Sequence, residues 1–199
     1  MPRLKDSTKL ARREQIAEAA LRRFSRDGFA NTSMADIIAE SGLSAGSIYS
    51  HFASKAELVQ FVAATVLDSR FAALAGSPGG QRRVVRPSEI LEAFSSAIDR
   101  ERAQLLLQVW AEIPRNDEMA DLAEAQVNRL RELLRAALEP WESTNRTGGN
   151  AHLAEWFADV VLASIQGLIV RVAIDPAINR TALLNELGKS LDHTAAPGD

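Results

Sequence analysis

Apolar residues return at intervals of three and four along almost the whole chain, and no run alternates as a half-buried strand would. The pattern predicts an all-α protein. A first helix is expected from about Thr8 to Asp27, with Ile16, Ala20 and Phe24 on one stripe, Ala17 and Leu21 beside it, arginines opposite, and Gly28 as the stop. Three further starts follow closely, each headed by a serine whose hydroxyl can accept from the unpaired amides of the next turn: Ser33, Ser44 and Ser54. Asp36 and Glu57 stand three residues after the first and last of these, which makes both capping boxes. Between Ser33 and Phe52 the elements are short and are separated by Ser41-Gly42-Leu43, the spacing of a helix-turn-helix. A longer helix is expected from Ser54 to about Ala75, meeting a Gly- and Pro-rich loop over residues 76–83.

Beyond Pro87 the predicted helices lengthen. One runs from Ser88 to Ile113 and is closed by Pro114, and the next from Asp117 to Glu139, closed by Pro140. The second has one broad apolar face through Met119, Leu122, Val127, Leu130, Leu134 and Leu138, with Arg129, Arg131 and Arg135 directed outward. A polar loop over residues 143–150 leads to a helix from about Ala151 to Ile174. Between Val160 and Val170 that helix is apolar nearly all round, so protein is expected to cover both of its faces. Asp175-Pro176 ends it, a last helix spans Thr181 to Asp192, and residues 193–199 are expected to be a disordered tail.

With 199 residues, 46% apolar and 25% charged, the chain can bury one substantial core or two small ones and is neither collagen-like nor disordered. Cysteine is absent, which removes disulfides, thiolate nucleophiles and sulfur-built zinc sites and fits a reducing, cytoplasmic setting. The start carries no apolar stretch of signal-peptide length, and Asp159 and Arg171 close the run from Val160 to Val170, so no membrane partner is expected. Outside a secreted context the Asn-x-Ser/Thr triplets at Asn31, Asn145 and Asn179 carry no weight. None of the three histidines, His51, His152 and His193, lies in a His-Glu-x-x-His frame, and residues 76–83 lack the Gly-Lys-Ser/Thr ending of a phosphate loop. No catalytic residue, metal or cofactor is therefore expected. The net charge of -3 hides an asymmetry: nine Lys/Arg against six acids make residues 1–55 +3, and the remainder is -6. A basic end on an acidic body suits a DNA-binding module joined to a different kind of domain.

The run from Arg12 to Lys55 carries several signatures in order: Ala-x-x-x-Phe-x-x-x-Gly-Phe, Thr32-Ser33, Gly-Leu-Ser-x-Gly-x-Ile-Tyr and His-Phe-x-Ser-Lys. In these it resembles the N-terminal domain of TetR-type transcriptional regulators. The residue pattern agrees on its own terms, since Leu43, Ile48 and Phe52 share one side of the short third helix and can pack on Phe24, Ile37 and Ile38. That leaves Ala45, Gly46, Ser47, Tyr49 and Ser50 outward behind the cap Ser44, and small residues let a backbone approach a major groove. Lys55, at the start of the fourth helix, suits a phosphate. By resemblance, the third helix is the recognition helix, Tyr49, His51 and Lys55 hold the DNA backbone with Thr32 and Ser33, and Ala45, Gly46, Ser47 and Ser50 read bases. Ala45 stands where many relatives carry lysine, and Ile38 where a smaller residue is usual. Without a long polar reader, selectivity is expected to lean on Tyr49, van der Waals contact and DNA shape.

The expected organisation is a helix-turn-helix domain over residues 1–55, a helical effector and dimerisation domain over 56–192, and the tail. Phe94, Trp110 and Trp156, interspersed with Gln108, Glu112, Gln166 and Arg171, are the candidates for a small-molecule effector pocket between helices. The last two helices are the candidate homodimer surface, because the penultimate one is apolar on too many sides and carries the small residues Ala163, Ser164 and Gly167. The reading is a ligand-responsive repressor that binds a palindromic double-stranded operator as a homodimer, without enzymatic activity. The alternative is a helical ligand-binding or interaction scaffold that does not bind DNA.

Overall fold

A computed structural model describes residues 3–75, 84–96, 98–145 and 151–194. The expected loop at 76–83, most of that at 143–150 and the end of the tail, 195–199, lie outside the described residues. Among those described there are nine α-helices and no strand: α1 (Arg3–Asp27), α2 (Met34–Ser41), α3 (Ala45–Tyr49), α4 (Lys55–Ala75), α5 (Pro87–Ser96), α6 (Arg100–Glu112), α7 (Asp117–Asn145), α8 (Ala151–Ile174) and α9 (Arg180–Thr194). A single 3₁₀ turn, Ile113–Arg115, follows α6.

Four boundaries differ from the sequence pattern, one of them at the last helix, which continues through His193 to Thr194 into the expected tail. The first helix begins at Arg3, ahead of Thr8. The single helix expected from Ser88 to Ile113 is broken between Ser96 and Arg100, because Asp99 caps a new start: its carboxylate accepts from the Arg102 amide at 2.8 Å and its carbonyl from the Ala103 amide at 3.0 Å. Pro140 does not close α7. The helix continues to Asn145, with Trp141 buried and stacked on Phe157 at 5.6 Å between ring centroids, and with the Ser143 and Thr144 hydroxyls donating to the Pro140 carbonyl. Burying an indole and a phenyl contributes about 1.5–3 kcal/mol each, enough to offset the roughly 3 kcal/mol that a proline inside a helix costs.

The chain divides into two compact units, Met1–Thr65 with Leu105–Glu124, and Val66–Gln104 with Ala125–Asp199. The first has a core of Ile16, Phe24, Phe29, Ile37, Ile48, Phe52, Leu58 and Met119, against which Leu43, Ile38, Leu105, Val109, Ile113 and Leu122 pack. Each fully buried aliphatic or phenyl side chain contributes about 1.5–3 kcal/mol. The arginines of α1 meet the acids of α2: Arg22 and Arg26 pair with Glu40 at 3.1 and 3.3 Å, and Arg23 with Asp36 at 2.9 Å. Hydrogen bonds from Ser33 and the nearby Arg23 hold the Asp36 carboxyl below its ordinary pKa. Arg22, then Arg26, do the same for Glu40.

In the second unit α8 packs on α5 and α9, and α5 lies along α9. Arg131, expected to face outward, pairs instead with Asp159 of α8 at 2.7 Å. The Asp192 carboxylate accepts from the Ser88 amide at 3.1 Å and from its hydroxyl at 2.7 Å, which fixes Ser88 opposite Gly188. A Cβ on Gly188 would stand 2.9 Å from the Ser88 Cβ. Alanine is the better helix former by about 1 kcal/mol, but overpacking a fixed seam costs about 1–3 kcal/mol. Gly188→Ala is therefore expected to lower stability by about 1 kcal/mol net, read as a reduced thermal midpoint; a raised midpoint would show that α9 slides to make room.

Candidate nucleic-acid interface

Local chemistry explains why a short helix stands where α3 does. Gly42 ends α2 at φ +67°, a left-handed conformation that favours glycine, and the Ser44 hydroxyl then accepts the Ser47 amide at 3.2 Å to start α3. Ile48 and Phe52 are fully buried and anchor the helix from below. On the other side Ser44, Ala45, Gly46 and Ser50 are exposed, Ser47 is half-buried, and Tyr49 is 52% exposed although it is the largest side chain of α3. A Cβ built on Gly46 would find nothing within 4 Å. The helix therefore offers a bare, uncharged ridge of small and hydroxylated side chains with one aromatic ring.

The other residues expected at DNA behave differently. Ser33 is exposed, but its hydroxyl donates to Asp36 at 2.6 Å and accepts the Asp36 amide at 3.2 Å, while the Asp36 carboxylate accepts the Ser33 amide at 2.9 Å and completes the capping box. Thr32 is 2% exposed and donates its hydroxyl to the Gly28 carbonyl at 2.8 Å. His51 is half-buried, with its Nδ1 enclosed and without a hydrogen-bond partner. Lys55 turns inward: its Nζ donates to the carbonyls of Phe29 and Thr32, both at 2.9 Å, and lies 4.1 Å from the Phe29 ring centroid. Desolvation lowers its pKa from the ordinary 10.5, with the Glu112 charge acting in the opposite direction.

The entrance of α4 is occupied by the chain's own acids. The Ala53 amide donates to Glu57 at 2.8 Å, and the Ser54 hydroxyl accepts the Glu57 amide and donates to Glu118. Sequence reasoning foresaw the Ser54 cap on the Glu57 amide, but not that Glu57 takes the Ala53 amide in place of that of Ser54, nor Glu118, which is 64 positions away. It also missed Arg13, whose guanidinium lies 4.3 and 4.6 Å from the Phe52 and Phe61 ring centroids. No local motif announces either contact.

The seven effector candidates are divided between the two units. Gln108, Trp110 and Glu112 belong to the unit that holds α1–α3, and Phe94, Trp156, Gln166 and Arg171 to the other. Gln108 accepts the Phe29 amide at 2.8 Å, Trp156 is 66% exposed, and exposed Arg171 pairs with Asp175 at 3.1 Å. Half-buried Gln166 lies on α8. Phe94 alone of the seven lines an apolar crevice with Ile98, Ile165, Leu168, Ile169, Val172 and Arg180, and these side chains meet with no room for a water-sized guest.

Comparison with known sequences decides the family. Residues 16–62 match the model for bacterial regulatory proteins of the tetR family, and residues 86–195, more than half of the chain, match that for the C-terminal region of BetI-type transcriptional repressors. The chain belongs to the TetR family. Among TetR-type relatives, the HTH-type transcriptional regulator TtgR of Pseudomonas putida is 54% identical over 48 residues, which span 24% of this chain and 23% of that protein. The HTH-type transcriptional regulator YfiR of Bacillus subtilis is 30% identical over 149 residues, 71% of this chain and 72% of the relative. The solved structure of Salmonella enterica GusR shares the fold with a TM-score of 0.66 at 24% identity, covering 92% of this chain and 96% of that one. TetR-type proteins are transcriptional regulators, and α2–α3 correspond to the helix-turn-helix within the matched N-terminal region.

Proposed function

We propose that this chain is a ligand-responsive transcriptional repressor that binds a palindromic duplex operator as a homodimer in the cytoplasm and leaves it when a small molecule binds. The observation that carries the reading is the bare ridge of α3, because an exposed tyrosine on a helix of small residues suits close entry into a major groove. Ser44, Ala45, Gly46, Ser47, Tyr49 and Ser50 face the DNA. His51 stands at the margin of that ridge, while Ser33, Thr32 and Lys55 hold the supporting turns. Repression as the direction of control is supported by the match to a repressor C-terminal region.

Dimerisation is supported by α8. Trp156, Val160, Ala163, Gly167 and Ile174 fall on one face at helical spacing and are exposed, Trp156 and Ile174 by 66% and 60%. On α9, Thr181, Asn185, Lys189 and Ser190 are exposed as well. The effector is accommodated among the helices of the same unit, where opening of the Phe94 crevice would admit an apolar group beside the Arg180 guanidinium. The test is enrichment of duplexes from a randomised library. The wild-type protein is expected to enrich a two-fold symmetric sequence, and Tyr49→Ala to bind that sequence at least about tenfold more weakly with an unchanged helical spectrum. Equal affinity of Tyr49→Ala and wild type would remove α3 as the reading element.

A further inference from the structure

We infer that Gln108, a residue of α6 lying outside the helix-turn-helix segment, positions the DNA-reading helices by holding the turn between α1 and α2. The turn begins at Gly28, whose φ of +83° directs the following peptide away from the α1 axis. The Phe29 amide is therefore aimed at no carbonyl of its own helix, although the Phe29 side chain is 1% exposed. The Gln108 Oε1 meets that amide at 2.8 Å and sits 3.2 Å from where a Cβ on residue 28 would stand, so the glycine also makes room for the glutamine head.

Backbone bonds from the Gly28 amide to the Phe24 carbonyl at 2.9 Å and from the Thr32 amide to the Phe29 carbonyl at 3.3 Å close the turn, and side chains hold its other carbonyl contacts. Lys55 holds the carbonyls of Phe29 and Thr32, and the Thr32 hydroxyl holds that of Gly28. Ser33 follows at once as the cap of α2, so the direction in which the chain leaves residues 28–32 sets how α2 and α3 lie on α1. Lys55 and Thr32 belong to the same sequence block as the helices they fix. Gln108 lies 79 positions from Phe29 on a helix that Leu105 and Val109 seat against the same core.

This rests on the DNA-binding reading above, and the experiment keeps the two apart. Gln108→Leu removes the acceptor at similar volume, and Gln108→Glu keeps one. Each is titrated, beside the wild type, against the duplex that the wild type enriches and against a scrambled duplex of equal length and salt, and exchange of the Phe29 amide is followed. Gln108→Leu is expected to bind the enriched duplex about three- to tenfold more weakly, to bind the scrambled duplex as wild type does, and to lose protection at Phe29. Gln108→Glu is expected to restore both selectivity and protection. Loss of protection with selectivity unchanged, or an equal loss on both duplexes, would overturn the assignment. If the wild type enriches no duplex, the DNA-binding reading itself falls, and the positioning role with it.

Discussion

Val160→Asp is expected to yield folded monomers that bind the operator about 10²- to 10⁴-fold more weakly than the wild type. Val160 is 47% exposed in the single chain, near the start of a stripe that runs from Trp156 to Ile174, so its replacement does not open a cavity in the core. A second copy packed on that stripe would enclose the new carboxylate without a partner, at a cost of several kcal/mol. Once the two recognition helices are no longer joined, each half-site must be bound independently, and the advantage of linkage is lost. Light scattering reports the mass and duplex titration the affinity. A Val160→Asp protein that stays dimeric would move the interface elsewhere, and a monomer with wild-type affinity would remove the need for symmetry.

Lys55→Met is expected to act mainly on stability. The ammonium makes two charge-assisted hydrogen bonds to carbonyls, and bonds to charged groups contribute about 1.5–3 kcal/mol each. Because Lys55 is only partly buried, water replaces part of that, and a net loss of about 2–3 kcal/mol is expected. Methionine keeps the contact with the Phe29 ring while removing the donors. The salt dependence of operator binding separates the two roles of this lysine. A phosphate contact would reduce the slope by about 1 on its removal, whereas a lysine that holds the turn leaves the slope as it was while the melting temperature falls. A flattened slope at unchanged stability would return Lys55 to the DNA backbone.

What the sequence made legible is local. Helix starts at Ser33, Ser44 and Ser54 are readable because a cap needs only one hydroxyl and the next few amides, and the packed side of α3 is readable because Ile48 and Phe52 repeat at helical spacing. Asp99 was as readable as the serines, yet the apolar period on either side of it obscured the break between α5 and α6. Pro140 misleads for the opposite reason, since a strong local signal yields to the burial of Trp141 on a helix that follows later in the chain. The hidden part of the site is its long-range polar wiring. The type of Lys55 marks it as a cation near the DNA-reading block, but only the fold brings the carbonyls of Phe29 and Thr32 to it, and no spacing rule connects Gln108 or Glu118 to the turns they serve.

The open space around Ala45 and Gly46 has an evolutionary consequence. Nothing within 4 Å crowds a Cβ at residue 46, Ala45 is exposed, and the fixed points of α3 lie underneath at Ile48 and Phe52. Larger side chains can appear at these two positions without repacking the protein. A gene duplicate could thus drift to a new target sequence through a couple of codons, while the rest of the fold is inherited intact.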